Sequence, residues 1–402
     1  MKVVGLITEY NPFHNGHQYH IEKAREITGA DYVIVVMSGN FVQRGAPAVM
    51  PKHLRAEMAL KANASLVIEL PVCYSTGSAE YFAFGAISLL NKLGCVDAIC
   101  FGSECGDIEV LENLAKIIHE EPEEYKKLLS RYLKSGNSFP LARQNAIKDF
   151  LNSDNIASTL AEPNNILGIE YLKALYRVNS NIKPYTIKRC TSHYHDSALG
   201  DTFSSATAIR NALDTNGLEE LKSQVPSYTL DIMKNTYKQR YPVCSDDFSL
   251  LLKFKLMNET RTSLLVYADV SEDLANRIYN HLNEFQSWEQ YCELLKTKEI
   301  TYSRISRALL HILLGIKKDY YCDINYVRIL GFKKEDADLL SLIKKSCSIP
   351  LIAKLADSES LSETGIRQLE LDIYSSNLFE SVIAEKFNLP FLNEYKHPIV
   401  RI

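Results

Sequence analysis

Short runs of apolar, β-branched residues punctuate the first hundred positions of the chain. Residues 1–7, 32–37, 66–70 and 98–102 each read as one buried strand. Stretches of helical length lie between them, the first at residues 19–27. Strand and helix in alternation argue for a parallel sheet with right-handed crossovers. Residues 75–93 read as one helix, capped by Ser75 or Thr76 and ended by Gly94. Helices with charged outer faces follow at 108–119, 123–134 and 141–151. The strand pattern returns at 184–188, then come a polar loop (Thr191, Ser192, His193, Tyr194, His195, Asp196) and a helix opened by residues 204–213.

The first domain is expected to close near residue 240. Beyond it the periodicity is mainly helical, at 248–257, 271–285, 287–297, 303–316 and 333–345. A short strand at 350–353 and a closing helix at 368–386 complete the chain. The expected fold is α/β: residues 1–240 form a nucleotide-binding domain with a parallel sheet, and residues 241–402 a mainly α-helical region.

At 402 residues the chain is long enough for two or three compact units, and a net charge of −4 gives no global signal for a polyanion. Nine cysteines without a CxxC pair read as free, mostly buried thiols, so neither a zinc site nor a disulfide-linked partner is expected. No signal peptide precedes the first strand, and no apolar stretch reaches the ~20 residues of a membrane span. The expected setting is cytoplasmic, with no membrane partner.

The chemistry concentrates where the first strand ends. His14-Asn15-Gly16-His17 puts two histidines around a glycine between strand and helix. There, backbone N–H groups and the positive end of a helix can face a phosphate, and Gly16 lets the backbone come close. His14 and His17 can donate to phosphate oxygens as charge builds in nucleotidyl transfer, without acting as nucleophiles. Ser204-Ser205-Ala206-Thr207-Ala208-Ile209-Arg210 offers a second clamp, with hydroxyls from Ser205 and Thr207 and a guanidinium from Arg210. Taken alone, the first motif also fits a polar surface loop, and the second a helix cap beside an exposed arginine.

His14 to His17 resembles the HxGH signature of the HIGH-type nucleotidyltransferase superfamily, and residues 205–210 its Ser-Thr-x-x-Arg counterpart. Residues 5–17, 38–45, 163–171 and 302–307 together resemble the bacterial tRNA(Met) cytidine acetate ligase family, from the first residues to beyond residue 300. The resemblance implies a Rossmann-like nucleotidyltransferase sheet. It also implies activation of acetate by ATP, with Mg²⁺, to acetyl-adenylate and transfer of the acetyl group to N4 of the wobble cytidine of elongator tRNA(Met). His14 and His17 would be catalytic. ATP would be held by Ile7, Thr8, Glu9, Tyr10, Asn11, Pro12, Phe13, Asn15, Gly16, Gln18, Tyr19 and His20, with Gly102, Asn165, Lys188, Arg189, Ser205, Thr207 and Arg210.

On their residues alone, several of these have plainer roles. Gly102 ends a strand where a side chain would obstruct a nucleotide, or is an ordinary strand-to-loop glycine. Asn165 starts a helix and its simplest function is capping. Arg44 could face the acid or the RNA, and Glu9 and Asn11 could shape an acid pocket.

Between Lys298 and Lys334 eight Lys/Arg stand against three acids, with Tyr302, Tyr320, Tyr321 and Tyr326 interleaved. Cations for phosphates and aromatic faces for splayed bases suit single-stranded RNA, and Arg304 and Arg307 share one helix face as the expected tRNA contacts. A solvated charged helix fits the composition equally. Two other readings remain open: a small-molecule adenylyltransferase, and a non-catalytic RNA-binding protein with a nucleotide-sensing domain.

Overall fold

A computed structural model describes residues 1–153, 159–189, 204–215 and 217–402. The polar loop at 191–196 lies outside the described residues. In chain order the first half contains β1 (Val3–Thr8), α1 (Asn15–Thr28), β2 (Tyr32–Ser38), β3 (Phe41–Val42), β4 (Ala46–Pro47), α2 (Lys52–Lys61) and β5 (Leu66–Leu70). There follow α3 (Val72–Ser75), α4 (Ala79–Leu93), β6 (Ala98–Ser103), α5 (Ile108–Glu120), α6 (Glu123–Lys134), α7 (Phe139–Leu151), α8 (Pro163–Arg177), β7 (Lys183–Lys188), α9 (Ala206–Thr215) and α10 (Ser227–Thr236). The second half contains α11 (Ser249–Met257), α12 (Arg261–Leu264), α13 (Glu272–Asn280), α14 (Trp288–Leu295), α15 (Tyr302–Leu314), β8 (Val327–Phe332), α16 (Ala337–Ser346), β9 (Leu351–Ile352), α17 (Glu363–Phe387) and β10 (Val400–Arg401).

Alternation along the strands explains the layers. Val4 and Leu6 of β1 and Val33, Val35 and Met37 of β2 pack with α1, α2, α9 and α10 on one face of the sheet. Val3, Ile34 and Val36 pack with α4, α5 and α8 on the other, in a cluster that continues into α11, α14 and α15. Both faces are therefore covered, as parallel strands require. On β1, a Cβ at Gly5 would stand 2.7 Å from Leu90, so glycine lets α4 lie directly on the central strand.

The sheet runs β10-β8-β5-β2-β1-β6-β7, with β9 attached to β8. β5, β2, β1, β6 and β7 are parallel, and β8 pairs antiparallel to β5. The order reverses between β1 and β6, and the crevice at the carboxyl ends of these strands is where such sheets take ligands.

Three expectations need correction. The helix expected from residue 75 starts at Ala79 instead, because the short α3 ends at Ser75, the chain breaks at Thr76–Ser78 and α4 starts from an extended Ser78. Residues 327–332 form a strand that the sequence reading did not assign, and residues 241–402 thus add β8, β9 and β10 to the sheet of the first half. The basic stretch 298–334 is not one solvated face. Arg328 is buried against Glu394, Tyr326 is fully buried, and Tyr321 stacks on Tyr81 at 3.8 Å.

Fully buried Arg55 of α2 fixes the rim of the crevice. It donates to the carbonyls of Met50 (3.1 Å), Glu9 (2.6 Å), Ser38 (3.1 Å) and Gly39, tying the loops after β1 and β2 together. Burial lowers its pKa to about 10. Arg55→Met would leave four buried carbonyls unpaired and should lower the apparent unfolding free energy in urea by ~3 kcal/mol or more. A loss below ~1 kcal/mol would mean that these carbonyls find other partners.

Candidate active site

The two histidines of His14-Asn15-Gly16-His17 build the start of α1 themselves. His14 is the N-cap residue, and its Nδ1 accepts from Gly16 N at 3.1 Å; His17 Nδ1 reaches back to accept from His14 N at 3.3 Å. The rings stack with centroids 3.7 Å apart. A Cβ at Gly16 would press on His14 Cε1 at 3.0 Å, so the glycine serves the stack. With Nδ1 accepting in each ring, the proton of the neutral imidazole resides on Nε2, which becomes a donor without carrying charge.

Backbone N–H groups at this turn, expected to face phosphate, are already used. Asn15 N donates to Gln224 O (3.0 Å), Gly16 N to His14 Nδ1, and His17 N to His14 O (2.9 Å). Side chains must therefore supply the donors. Burial, followed by Arg189 and Arg210, pushes His14 down to about 3. Burial and Arg189 take His20 to about 4, and burial with His14, His20 and Arg189 holds His17 well below the ordinary imidazole range.

These rings open on a cavity of about 570 Å³ at the carboxyl ends of β1 and β6. Of the expected site residues, Ile7, Thr8, Glu9, Tyr10, Asn11, His14, Gly16, His17, Tyr19, His20, Gly102, Lys188, Arg189, Ser205, Thr207 and Arg210 line it. Arg210 is fixed by donating Nη1 to Asn11 O (2.8 Å) and Nη2 to Thr207 Oγ1 (3.1 Å), while Ser205 Oγ caps α9 at Ala208 N (3.1 Å). A Cβ at Gly102 would meet nothing closer than Arg189 Cγ at 3.4 Å, so the protein alone does not require glycine there.

Pro12, Phe13, Asn15, Gln18 and Asn165 do not line the cavity. Phe13 is fully buried beside Tyr10 and His17, Asn15 Nδ2 donates to Ser223 O, and Gln18 bonds Glu22 and Tyr228. Asn165 is a strut: its Oδ1 accepts from Glu104 N (3.0 Å) and Cys105 N (3.1 Å), and its Nδ2 donates to Thr159 O. Its neighbour Asn164 lines the cavity instead.

Sequence reasoning missed the apolar wall of Ala79, Phe82, Phe101, Leu167 and Tyr171. These positions carry only core periodicity, which does not distinguish a cavity wall from a core. It also placed Arg307 with Arg304 on an RNA face. Arg307 lines the cavity and pairs with Asp269, whereas Arg304, also half-buried, is not among the lining residues.

A doubly wound sheet, a switch-point crevice and neutral imidazole donors among arginines define a nucleotide-binding protein of the nucleotidyltransferase class. A family model for HIGH Nucleotidyl Transferase matches residues 1–390. The chain is 42% identical over 407 residues to the tRNA(Met) cytidine acetate ligase of Thermoanaerobacter sp. (strain X514), covering 100% of each. It is 44% identical over 392 residues to that of Acetivibrio thermocellus, covering 94% of each. Crystal structures of Thermotoga maritima TmcAL, at 34% identity, superpose with a TM-score of 0.95 in an apo form (100% of each chain) and 0.92 in a form bound with alpha-thio ATP (100% of this chain, 99% of that one). The chain belongs to the HIGH nucleotidyltransferase family and, within it, to the tRNA(Met) cytidine acetate ligases.

Between pH 6.5 and about 3 the unfolded chain binds a proton at His14 that the folded chain refuses. Stability contributed there is present above pH 6.5 and lost as pH falls through the window, by about 1.4 kcal/mol per pH unit for that proton. His14→Gln should flatten the slope of unfolding free energy against pH by about one proton. An identical slope would mean that the folded ring is charged.

Proposed function

We propose that the chain activates acetate with ATP to acetyl-adenylate, releasing pyrophosphate, and transfers the acetyl group to N4 of the wobble cytidine in elongator tRNA(Met). The observation that carries the reading is the neutral His14/His17 pair, offering Nε2–H donors beside Arg189 and Arg210 in the switch-point crevice. The names of the relatives supply the acid and the RNA.

In the first step a carboxylate oxygen of acetate attacks the α-phosphorus, an O–P bond forms, and the α–β bridging P–O bond breaks with its electron pair leaving on pyrophosphate. His14 and His17 strengthen their hydrogen bonds as charge accumulates on the phosphate oxygens, and Lys188, Arg189 and Arg210 neutralise the leaving group. Neutral imidazoles suit this task, since they donate without trapping the product anions by full charge. In the second step the cytidine amine attacks the acetyl carbonyl, a C–N bond forms, the acyl C–O bond breaks with its electron pair leaving on AMP, and the amine gives up one proton to solvent.

Mg²⁺ fits only as a passenger of the triphosphate. Magnesium takes hard oxygen ligands, and the described lining residues offer a single carboxylate, Glu9, whose Oε1 accepts from Gln43 N at 2.9 Å. Bound through phosphate oxygens and water, it would supply charge neutralisation. No helix of the described residues is long and apolar enough to cross a membrane; a tRNA-modifying role fits a cytoplasmic protein.

ATP, labelled acetate and bulk bacterial tRNA should yield labelled N4-acetylcytidine on nucleoside analysis. His14→Ala and His17→Ala should each slow acetyl-adenylate formation by ~10²-fold or more, as for loss of one preorganised donor. Product formed from acetyl-CoA without ATP would overturn the adenylate route. Half-exposed Arg304 is the proposed tRNA contact of α15. Arg304→Ala should weaken tRNA binding and lower its salt slope by about one, with ATP affinity unchanged; equal tRNA affinity at all salt concentrations would remove it from the RNA surface.

A further inference from the structure

The cations lining the cavity fall into two sets. Lys188, Arg189 and Arg210 belong to the end built from β7 and α9, where Arg189 and Arg210 act on the histidines. Arg307 comes from α15, and its field falls on Asp269 and His311 instead. Its side chain is 13% exposed, whereas Arg44, the other cation on that side, is exposed to solvent.

Arg307 is fixed on three sides. Asp269 clamps Nε at 3.0 Å and Nη2 at 3.4 Å, and Nη1 makes no hydrogen bond to a described residue. The β3–β4 hairpin lies directly on the turn of α15 that carries it: Ser306 Oγ donates to Gly45 O at 2.7 Å, and a Cβ at Gly45 would come within 2.3 Å of Arg307 N. One turn further along α15, buried His311 meets Thr76 through Nε2, 3.2 Å from Oγ1 and 3.1 Å from the carbonyl, which ties α15 to the loop before α4. Ala46 and Pro47 of the hairpin and Ala79 and Phe82 of α4 line the same cavity. The result is a half-buried guanidinium with one edge held by a carboxylate, accompanied by small or rigid apolar side chains.

We propose that Arg307, with Ala46, Pro47, Ala79 and Phe82, forms the subsite for the carboxylic acid that attacks the nucleotide; the proposal rests on the ligase reading above. The guanidinium holds one carboxylate oxygen in a charge-assisted hydrogen bond, leaving the other to attack the α-phosphorus. The apolar side chains leave room for a short alkyl group and none for a second charge. Asp269 already pairs with the guanidinium, so Arg307 competes less than an unpaired cation for the triphosphate held by Arg189 and Arg210.

The test is acetate-dependent exchange of labelled pyrophosphate into ATP by the full chain, without tRNA. Arg307→Ala should raise the acetate KM at least tenfold, the range expected for loss of a hydrogen bond to a charged group. The ATP KM should stay within about twofold, and Arg307→Lys should recover part of the loss. Ala46→Leu, which leaves the Asp269 pair intact, should raise the acetate KM as well and covers the case in which Arg307→Ala does not fold. Exchange by Arg307→Ala at the wild-type acetate KM, with weakened tRNA binding, would overturn the subsite and return Arg307 to the RNA surface. Wild-type chain that binds ATP yet shows no acetate-dependent exchange would overturn the ligase reading, and this subsite with it.

Discussion

Two imidazole rings whose centroids lie 3.7 Å apart, with two arginines nearby, cannot both carry charge, and burial with the arginines favours both neutral. Two imidazolium charges at that separation would repel by roughly 4 kcal/mol even at an effective dielectric near 20. The capping arrangement resolves the conflict locally. Each Nδ1 is occupied by a backbone N–H, which fixes the tautomer and directs the remaining proton to Nε2. The helix start, the ring stack and the donor pair are therefore one structure, and a side chain at Gly16 would press its Cβ on the His14 ring at 3.0 Å. That pocket, in turn, needs its walls held still, which Arg55 does by gathering the carbonyls behind the first two strands.

Much of the fold was legible because the strands of a doubly covered sheet are continuous apolar runs. Residues 32–37, 66–70 and 98–102 match β2, β5 and β6 to within a residue at each end. The exception is instructive. Val327–Phe332 carries Arg328, which reads as a surface cation, yet it is a buried strand whose arginine is paired with Glu394 from a segment more than sixty residues away. Periodicity cannot show a counter-ion that arrives from distant sequence. The same limit applies to Lys52, buried between Glu69 and Glu394, where burial disfavours the charge and the two carboxylates more than restore it.

At the site, legibility followed the type of interaction. The gathering of His14, Gly16, His17 and Arg210 at one cavity was readable because histidine, glycine and arginine at fixed spacing have few other uses at a strand-to-helix turn. Asn165 was not, since an asparagine at a helix start caps, clasps a neighbouring turn or touches a ligand with the same side chain. Here it clasps residues 104 and 105. The apolar wall was invisible for a different reason: Phe82, Phe101 and Leu167 obey the same periodicity whether they face a core or a cavity.

Arg307 shows how closely the second half of the chain is built into the first. Three contacts hold α15 against the nucleotide-binding half: Ser306 on Gly45, the Gly45 backbone against Arg307, and His311 on Thr76. β8 and β10 also complete the sheet from the same half. A reactive acyl-adenylate has to be guarded from water until its acceptor arrives, so the surface that meets the acceptor must be coupled to the pocket that makes the adenylate. On the proposed reading, one helix that carries Arg307 at the cavity and Arg304 a turn away from it would provide that coupling through rigid backbone. At Gly45 the hairpin and α15 meet backbone to backbone, with no side chain between them.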